Sequence, residues 1–293
     1  MGAHVSSKLS QAINAKVDAL RAGAQAIKAD TKSIRNAQGL QQHNAIMDWL
    51  SPTDFPAQQD DNFGRRQEGT GQWFVDSPEF KRWLRGSDKT LFCPGIPGAG
   101  KTIMAAIAID HLYKVAEGND IGIAYLFCNY KAQTDQSAPS LLAALVKQLV
   151  QSRPEITVPV THVYDHHSKR GSRPSLDEMF SALQSVCSNF IAVHIVVDAL
   201  DECADTDGAR SRLIDKLRNL QATTDVRLLF TSRFIPEIRQ KFQSNPILEV
   251  RASEEDVRRF VAGQMLCLPN CIQHSDELMR AVQNRIVEAV DGM

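Results

Sequence analysis

Apolar runs and amphipathic stretches alternate along this chain, and they predict most of its secondary structure. Thr90–Cys93, Ile121–Tyr130, Ile191–Val197 and Val226–Thr231 are short and nearly all apolar, as expected of strands buried on both faces. Ile247–Val250 predicts a last strand. Helices are expected over Thr102–Leu112, Ser140–Ser152, Ser175–Asn189, Asp207–Leu220 and Pro236–Phe242. Ser175 followed by Glu178 reads as a capping box, and Ser77-Pro78 as the cap and first residue of a short helix carrying Phe80 and Trp83. Apolar strands separated by helices predict an α/β, three-layer sandwich with a mostly parallel sheet.

The flanks differ from this core. Over residues 8–35, Ile13, Val17, Leu20, Ala24, Ile27 and Ile34 follow heptad-like steps, with a polar gap at Thr31. That stripe suits a coiled coil, or a docking face for a helical protein partner. It equally suits a helix packed on its own domain, and three heptads do not separate these readings. Residues 51–72 are rich in Pro, Gly, Gln and Asp and read as loop. After Ser253 only helix is predicted: Ser253 caps, Glu254, Glu255 and Asp256 suit the first turn, and Val257, Phe260, Val261 and Met265 form an apolar stripe. The expected division is an N-terminal helix and linker over 1–62, an α/β core over 63–251, and the start of a helical subdomain over 252–293.

Composition narrows the class. The 293 residues are 43% hydrophobic and 23% charged, with net charge −1, as in a soluble globular protein without a bulk attraction to nucleic acid. No run of 18 apolar residues and no signal-peptide core occur, so a cytoplasmic protein without a membrane partner is expected. The six cysteines are scattered, mostly in apolar segments, and read as reduced thiols. Cys267, Cys271 and His274 fit no common zinc spacing. His162, Asp165, His166 and His167 lie between Pro159 and the Gly171–Pro174 turn and read as a solvated loop rather than a metal site.

Gly95-Ile96-Pro97-Gly98-Ala99-Gly100-Lys101-Thr102 fits G-x-x-x-x-G-K-[ST], between a predicted strand and a predicted helix. Such a loop turns several backbone N–H groups onto one phosphate, and the following helix adds its positive end. Lys101 is expected to reach the β/γ-phosphates and Thr102 to take a Mg²⁺ position. The pattern also calls for an acid on a neighbouring strand, and Ile195–Asp198 ends in one. Asp198 is expected to hold Mg²⁺, and Asp201 or Glu202 to orient or activate water. The strand Arg227–Thr231 leads to Arg233, whose guanidinium suits a γ-phosphate.

With these three elements, the chain resembles the NACHT-type NTPase domain of STAND signalling ATPases. It is most like fungal members with nephrocystin-like N-terminal domains, often followed by ankyrin or WD repeats. The matching segments are Gly95–Thr102, Ile195–Cys203 with the tiny Ala199 and the doubled acid Asp201-Glu202, Leu228–Arg233, and Arg65–Trp73 followed by Phe80 and Trp83. The resemblance covers residues 40–293. It implies an ATP/ADP- and Mg²⁺-dependent switch, closed with ADP and self-associating with ATP. It also implies that Gly69–Trp73 lines the base or ribose pocket, although plain packing of Trp73 and Trp83 fits as well. Members carrying a winged-helix region and sensing repeats have them after the helical subdomain, beyond the point that Met293 reaches. A non-enzymatic nucleotide-binding scaffold is the alternative expectation. A small-molecule phosphotransferase fits less well, because Lys169, Arg170 and Arg173 lack the pattern of a lid.

Overall fold

The computed structural model describes residues 39–132, 136–203, 205, 208–264 and 276–291, with Lys16 and Lys28 alone ahead of them. The heptad stripe of residues 8–35, apart from those two lysines, and Cys267, Cys271 and His274 therefore lie outside the described residues. The chain divides into two units, Met1–Trp49 and Leu50–Met293. Residues 39–50 are helical (α1).

In the second unit, α2 (Phe55–Gly64), α3 (Gln72–Asp76) and α4 (Pro78–Arg85) precede β1 (Thr90–Pro94) and α5 (Lys101–Ala116). Next come β2 (Ile121–Phe127), α6 (Ala138–Ser152), α7 (Val158–Ser168), α8 (Leu176–Cys187) and β3 (Ala192–Asp198). α9 (Ala209–Leu220), β4 (Val226–Ser232), α10 (Pro236–Lys241), α11 (Glu254–Gln264) and α12 (Asp276–Asp291) complete the order. The local signals act as expected. Ser77 caps α4 through the Phe80 N–H, Ser253 accepts from the Asp256 N–H, and Ser175 with Glu178 forms a complete capping box on α8.

The four strands are all parallel, in the order β1-β4-β3-β2. Right-handed crossovers place helices by the direction in which the chain steps. The step from β1 out to β2 puts α5 on one face, and the return through β3 and β4 puts α6–α9 on the other. The packing agrees: α5 lies on β2, β3 and β4 beneath α2 and α3, whereas α6 lies on β2 beside α8 and α9. The result is the expected three-layer sandwich. Beyond β1, Phe92 bonds through its backbone to Pro246 and Leu248, and Pro94 to Val250. The predicted strand Ile247–Val250 is thus an irregular edge segment with one bridge, Phe92 to Ile247, rather than a full strand. Phe242 stacks on Phe92 at 4.6 Å and meets Phe230 at 4.9 Å with the rings tilted by 48°, filling the sheet face beside β1 and β4.

Three expectations need correction. Residues 51–72 are not all loop: the Asp54 side chain accepts from the Ala57 N–H and Pro56 falls in the first turn, so Phe55–Gly64 is helix α2. The histidine stretch is not a loop, because it forms α7. Pro159 falls in the first turn, where a missing N–H costs nothing, and Val160 and His167 are buried. The strand ending in Asp198 is not adjacent to the one feeding the phosphate loop, because β4 lies between them. Apolar runs reveal strands but not their order.

Candidate functional site

The phosphate-loop segment leaves β1 buried and then opens to solvent. A Cβ on Gly95 would lie 2.5 Å from the Val250 carbonyl oxygen, so the edge segment requires glycine at that position. Gly98 and Gly100 adopt φ 80° and 86°, a left-handed conformation that other residues avoid. A Cβ on either would meet nothing within 4 Å, so open space faces the loop backbone. Pro97 and Gly98 are exposed, and Ala99 is buried beneath the turn. Gly100 is the cap of α5, so the loop ends at a sixteen-residue helix with its N-terminal dipole turned toward it.

Lys101 folds back over this loop, its Nζ donating to the carbonyls of Gly95 (2.9 Å) and Ile96 (2.8 Å). Burial pulls its pKa down, against the charges of Asp201 and Asp198, which favour the ammonium. Thr102 Oγ1 donates to Asp198 Oδ2 at 2.7 Å and so ties the start of α5 to the end of β3. Asp198 is 2% exposed. Burial raises its pKa, opposed by the hydroxyls of Thr231 and Thr102, the Lys101 charge and the Ala199 N–H.

Thr231 is the residue missed from sequence. It lies fully buried on β4, the strand between β1 and β3, and its hydroxyl faces both ways. It donates to Asp198 Oδ1 at 2.5 Å and accepts from the Ala199 N–H at 2.9 Å. The Thr-Ser-Arg end of this strand could have signalled it, but only the strand order makes Thr231 a neighbour of Asp198. Ala199 has φ 53°, the one left-handed non-glycine among the described residues. Its turn starts the 3₁₀ segment Leu200–Glu202, and a small side chain limits the strain.

The doubled acid splits. Both Asp201 oxygens accept from Arg233, Oδ1 from the backbone N–H at 2.9 Å and Oδ2 from Nε at 2.5 Å. Burial pushes the Asp201 pKa up, but these donors and the Arg233 charge hold it below the usual carboxylate range. Its side chain is 2% exposed while that of Arg233 is 50% exposed, so Asp201 anchors a guanidinium that reaches solvent. Glu202 instead accepts from the Tyr130 N–H at 3.3 Å, beyond the end of β2. Every predicted site residue thus lies at the C-terminal edge of the sheet or on the loop above it, as ligand-binding residues of open parallel sheets do.

The upstream segment approaches the same helix. A Cβ on Gly71 would strike Ile107 and Met104 of α5. Asp256 of α11 accepts from the Gly71 N–H and from Trp73 Nε1, each at 3.0 Å. Trp83 has a different role. It is fully buried, with its ring 5.1 Å from that of His194 on β3, and belongs to the core.

Among solved structures the chain is similar to a DNA replication initiation factor, at 12% identity over 78% of this chain and 61% of that one, with TM-score 0.43. The Aeropyrum pernix ORC1 protein in complex with DNA is 15% identical over 70% and 55%, with TM-score 0.43. The FIGL-1 AAA domain in complex with ADP is 13% identical over 77% and 65%, with TM-score 0.39. The chain spans 55–65% of the lengths of these structures. No curated protein matches the sequence. No helix among the described residues is long and apolar enough to cross a membrane. The family model for the N-terminal region of nephrocystin 3 matches residues 69–233, more than half of the chain, and takes in the phosphate loop, Asp198–Glu202 and Arg233. The chain, with its all-parallel α/β sandwich, belongs to the nephrocystin 3 N-terminal family.

Proposed function

We propose that this chain binds ATP or ADP with Mg²⁺ at Gly95–Thr102 and serves as a slowly hydrolysing, nucleotide-controlled oligomerisation switch in cytoplasmic, immunity-type signalling. The observation that carries the reading is the Thr102–Asp198 hydrogen bond, a hydroxyl and a buried carboxylate brought together from the phosphate helix and β3. An alcohol and a carboxylate are the donor set that Mg²⁺ takes beside phosphates. The open space at Gly98 and Gly100 also fits a phosphate cradle.

In this reading the loop N–H groups and Lys101 bind the phosphates, with Lys101 exchanging its two carbonyl partners for phosphate oxygens. Thr102 and Asp198 hold Mg²⁺, which when bound supplies charge neutralisation. Asp201 orients Arg233 toward the γ-phosphate, and Glu202 positions water and accepts its proton. Self-association in the ATP form supplies the readout, and the net charge of −1 supports a second copy rather than nucleic acid as the partner.

Lys101→Ala is expected to abolish ATP binding in equilibrium titration; unchanged affinity would overturn the site. Glu202→Gln should retain binding and lose phosphate release. Release at the level of the Lys101→Ala protein in the unaltered chain would instead identify a nucleotide-binding scaffold.

A further inference from the structure

The histidines of α7 are unused by the nucleotide site, yet they meet an acid from another helix. One ligand atom from each of His166, His167 and Glu178 lies within 4.8 Å of the other two. A tetrahedral zinc site, with bonds of about 2.0–2.1 Å, needs its donors about 3.4 Å apart. The present spacing is therefore at most about 1.4 Å wider than such a site needs. His167 is buried, whereas His166 is exposed and the Glu178 side chain retains 43% of its surface, so the outer two can adjust and water can reach the centre.

Two of the donors also have a partner that aims them. His167 Nδ1 lies 2.7 Å from Ser172 Oγ, which lets Nε2 face Glu178 Oε1 at 3.1 Å. Glu178 Oε2 accepts from the Ser175 N–H (2.8 Å) and hydroxyl (2.7 Å), so the capping box fixes the carboxylate and leaves Oε1 turned to His167. His166 Nε2 is 3.1 Å from Arg170 Nη1. A guanidinium can only donate, so this nitrogen presents a lone pair, which a metal ion would take once the exposed Arg170 side chain swings away. Outer partners that set tautomer and carboxylate orientation accompany true metal ligands.

We propose that His166, His167 and Glu178 form a site for a divalent transition-metal ion of the zinc type, with water as fourth ligand, clamping the end of α7 to the start of α8. Neutral imidazoles and a carboxylate are zinc's own donor set, and three protein ligands plus water form an open tetrahedral site. The reading is independent of the nucleotide site and is tested without nucleotide.

The metal-stripped full chain would be titrated with Co²⁺ and then Zn²⁺, following visible d–d absorption, stoichiometry and thermal midpoint. One Co²⁺ per chain with a tetrahedral spectrum, displaced by Zn²⁺, and a midpoint raised by the metal are expected. His166→Gln, at an exposed position, and Glu178→Gln, which keeps a capping-box side chain, should each weaken the metal by about tenfold or more and remove the midpoint shift. Lys101→Ala should bind it unchanged. Absence of Co²⁺ binding in the unaltered chain, or affinity unchanged in both glutamine variants, would overturn the proposal.

Discussion

Thr231 shows how much one hydroxyl can settle. It satisfies a buried carboxylate and a part-buried backbone N–H in a left-handed turn at once, so its removal takes a partner from both. Thr231→Val, nearly isosteric, should lower stability by about 2 kcal/mol or more in denaturant unfolding, while Thr231→Ser stays near the parent. His194 makes the opposite case. Buried on β3 at 1% exposure beside Trp83, it has its pKa lowered to about 4 by burial and by Arg227, with the Leu84 carbonyl and Asp225 opposing. In the unfolded chain it titrates near its ordinary 6.5, so the unfolded state takes the proton first. Its neutral-state contribution is therefore full above pH 6.5 and is lost as pH falls toward 4, by up to about 3 kcal/mol. A pH series of unfolding free energies checks this, and His194→Phe should flatten that segment of the curve.

At the scale of elements, the site rests on strands whose ends align and on helices that hold them. α10 contributes through the residue just after it. Phe242 is fully buried and packs on Phe92 of β1 and Phe230 of β4, the strands that carry the phosphate loop and Thr231. Phe242→Ala should cost about 3–5 kcal/mol, read by chemical denaturation, because a cavity opens beneath both strand ends. Asp201 and Arg233 belong to this scale too. The pair joins the turn after β3 to the end of β4, so the acid's position depends on both strands.

Across the unit Leu50–Met293, Asp256 links distant segments, beside Arg259 of α11, which donates to the Gly69 carbonyl. Asp256 joins α11 to Gly71 and Trp73, and Gly71 lies against α5, the helix that opens with Lys101 and Thr102. A change at the phosphate loop therefore has a physical route to α11 through packed groups. Asp256→Ala removes the acceptor for two donors. It should raise amide exchange in α11 and in 71–73 while leaving β3 and β4 protected, as hydrogen-exchange mass spectrometry would show.

Local signals determined a great deal from the sequence alone. The strand positions, the caps at Ser77, Ser175 and Ser253, the glycine loop and the acid ending β3 are legible because each depends on neighbours within a few residues. What stayed hidden depends on residues far apart in the chain. The insertion of β4 between β1 and β3, the hydroxyl of Thr231 on Asp198, the pairing of Asp201 with Arg233 and the meeting of His166 and His167 with Glu178 all follow from strand order and helix packing. Hydrophobic periodicity shows which face of an element is buried, but not which element covers it. The sequence thus determined the residue types of a phosphate site and their place at strand ends. Only the tertiary structure decided which of those side chains touch, because that is set by burial across the whole sheet.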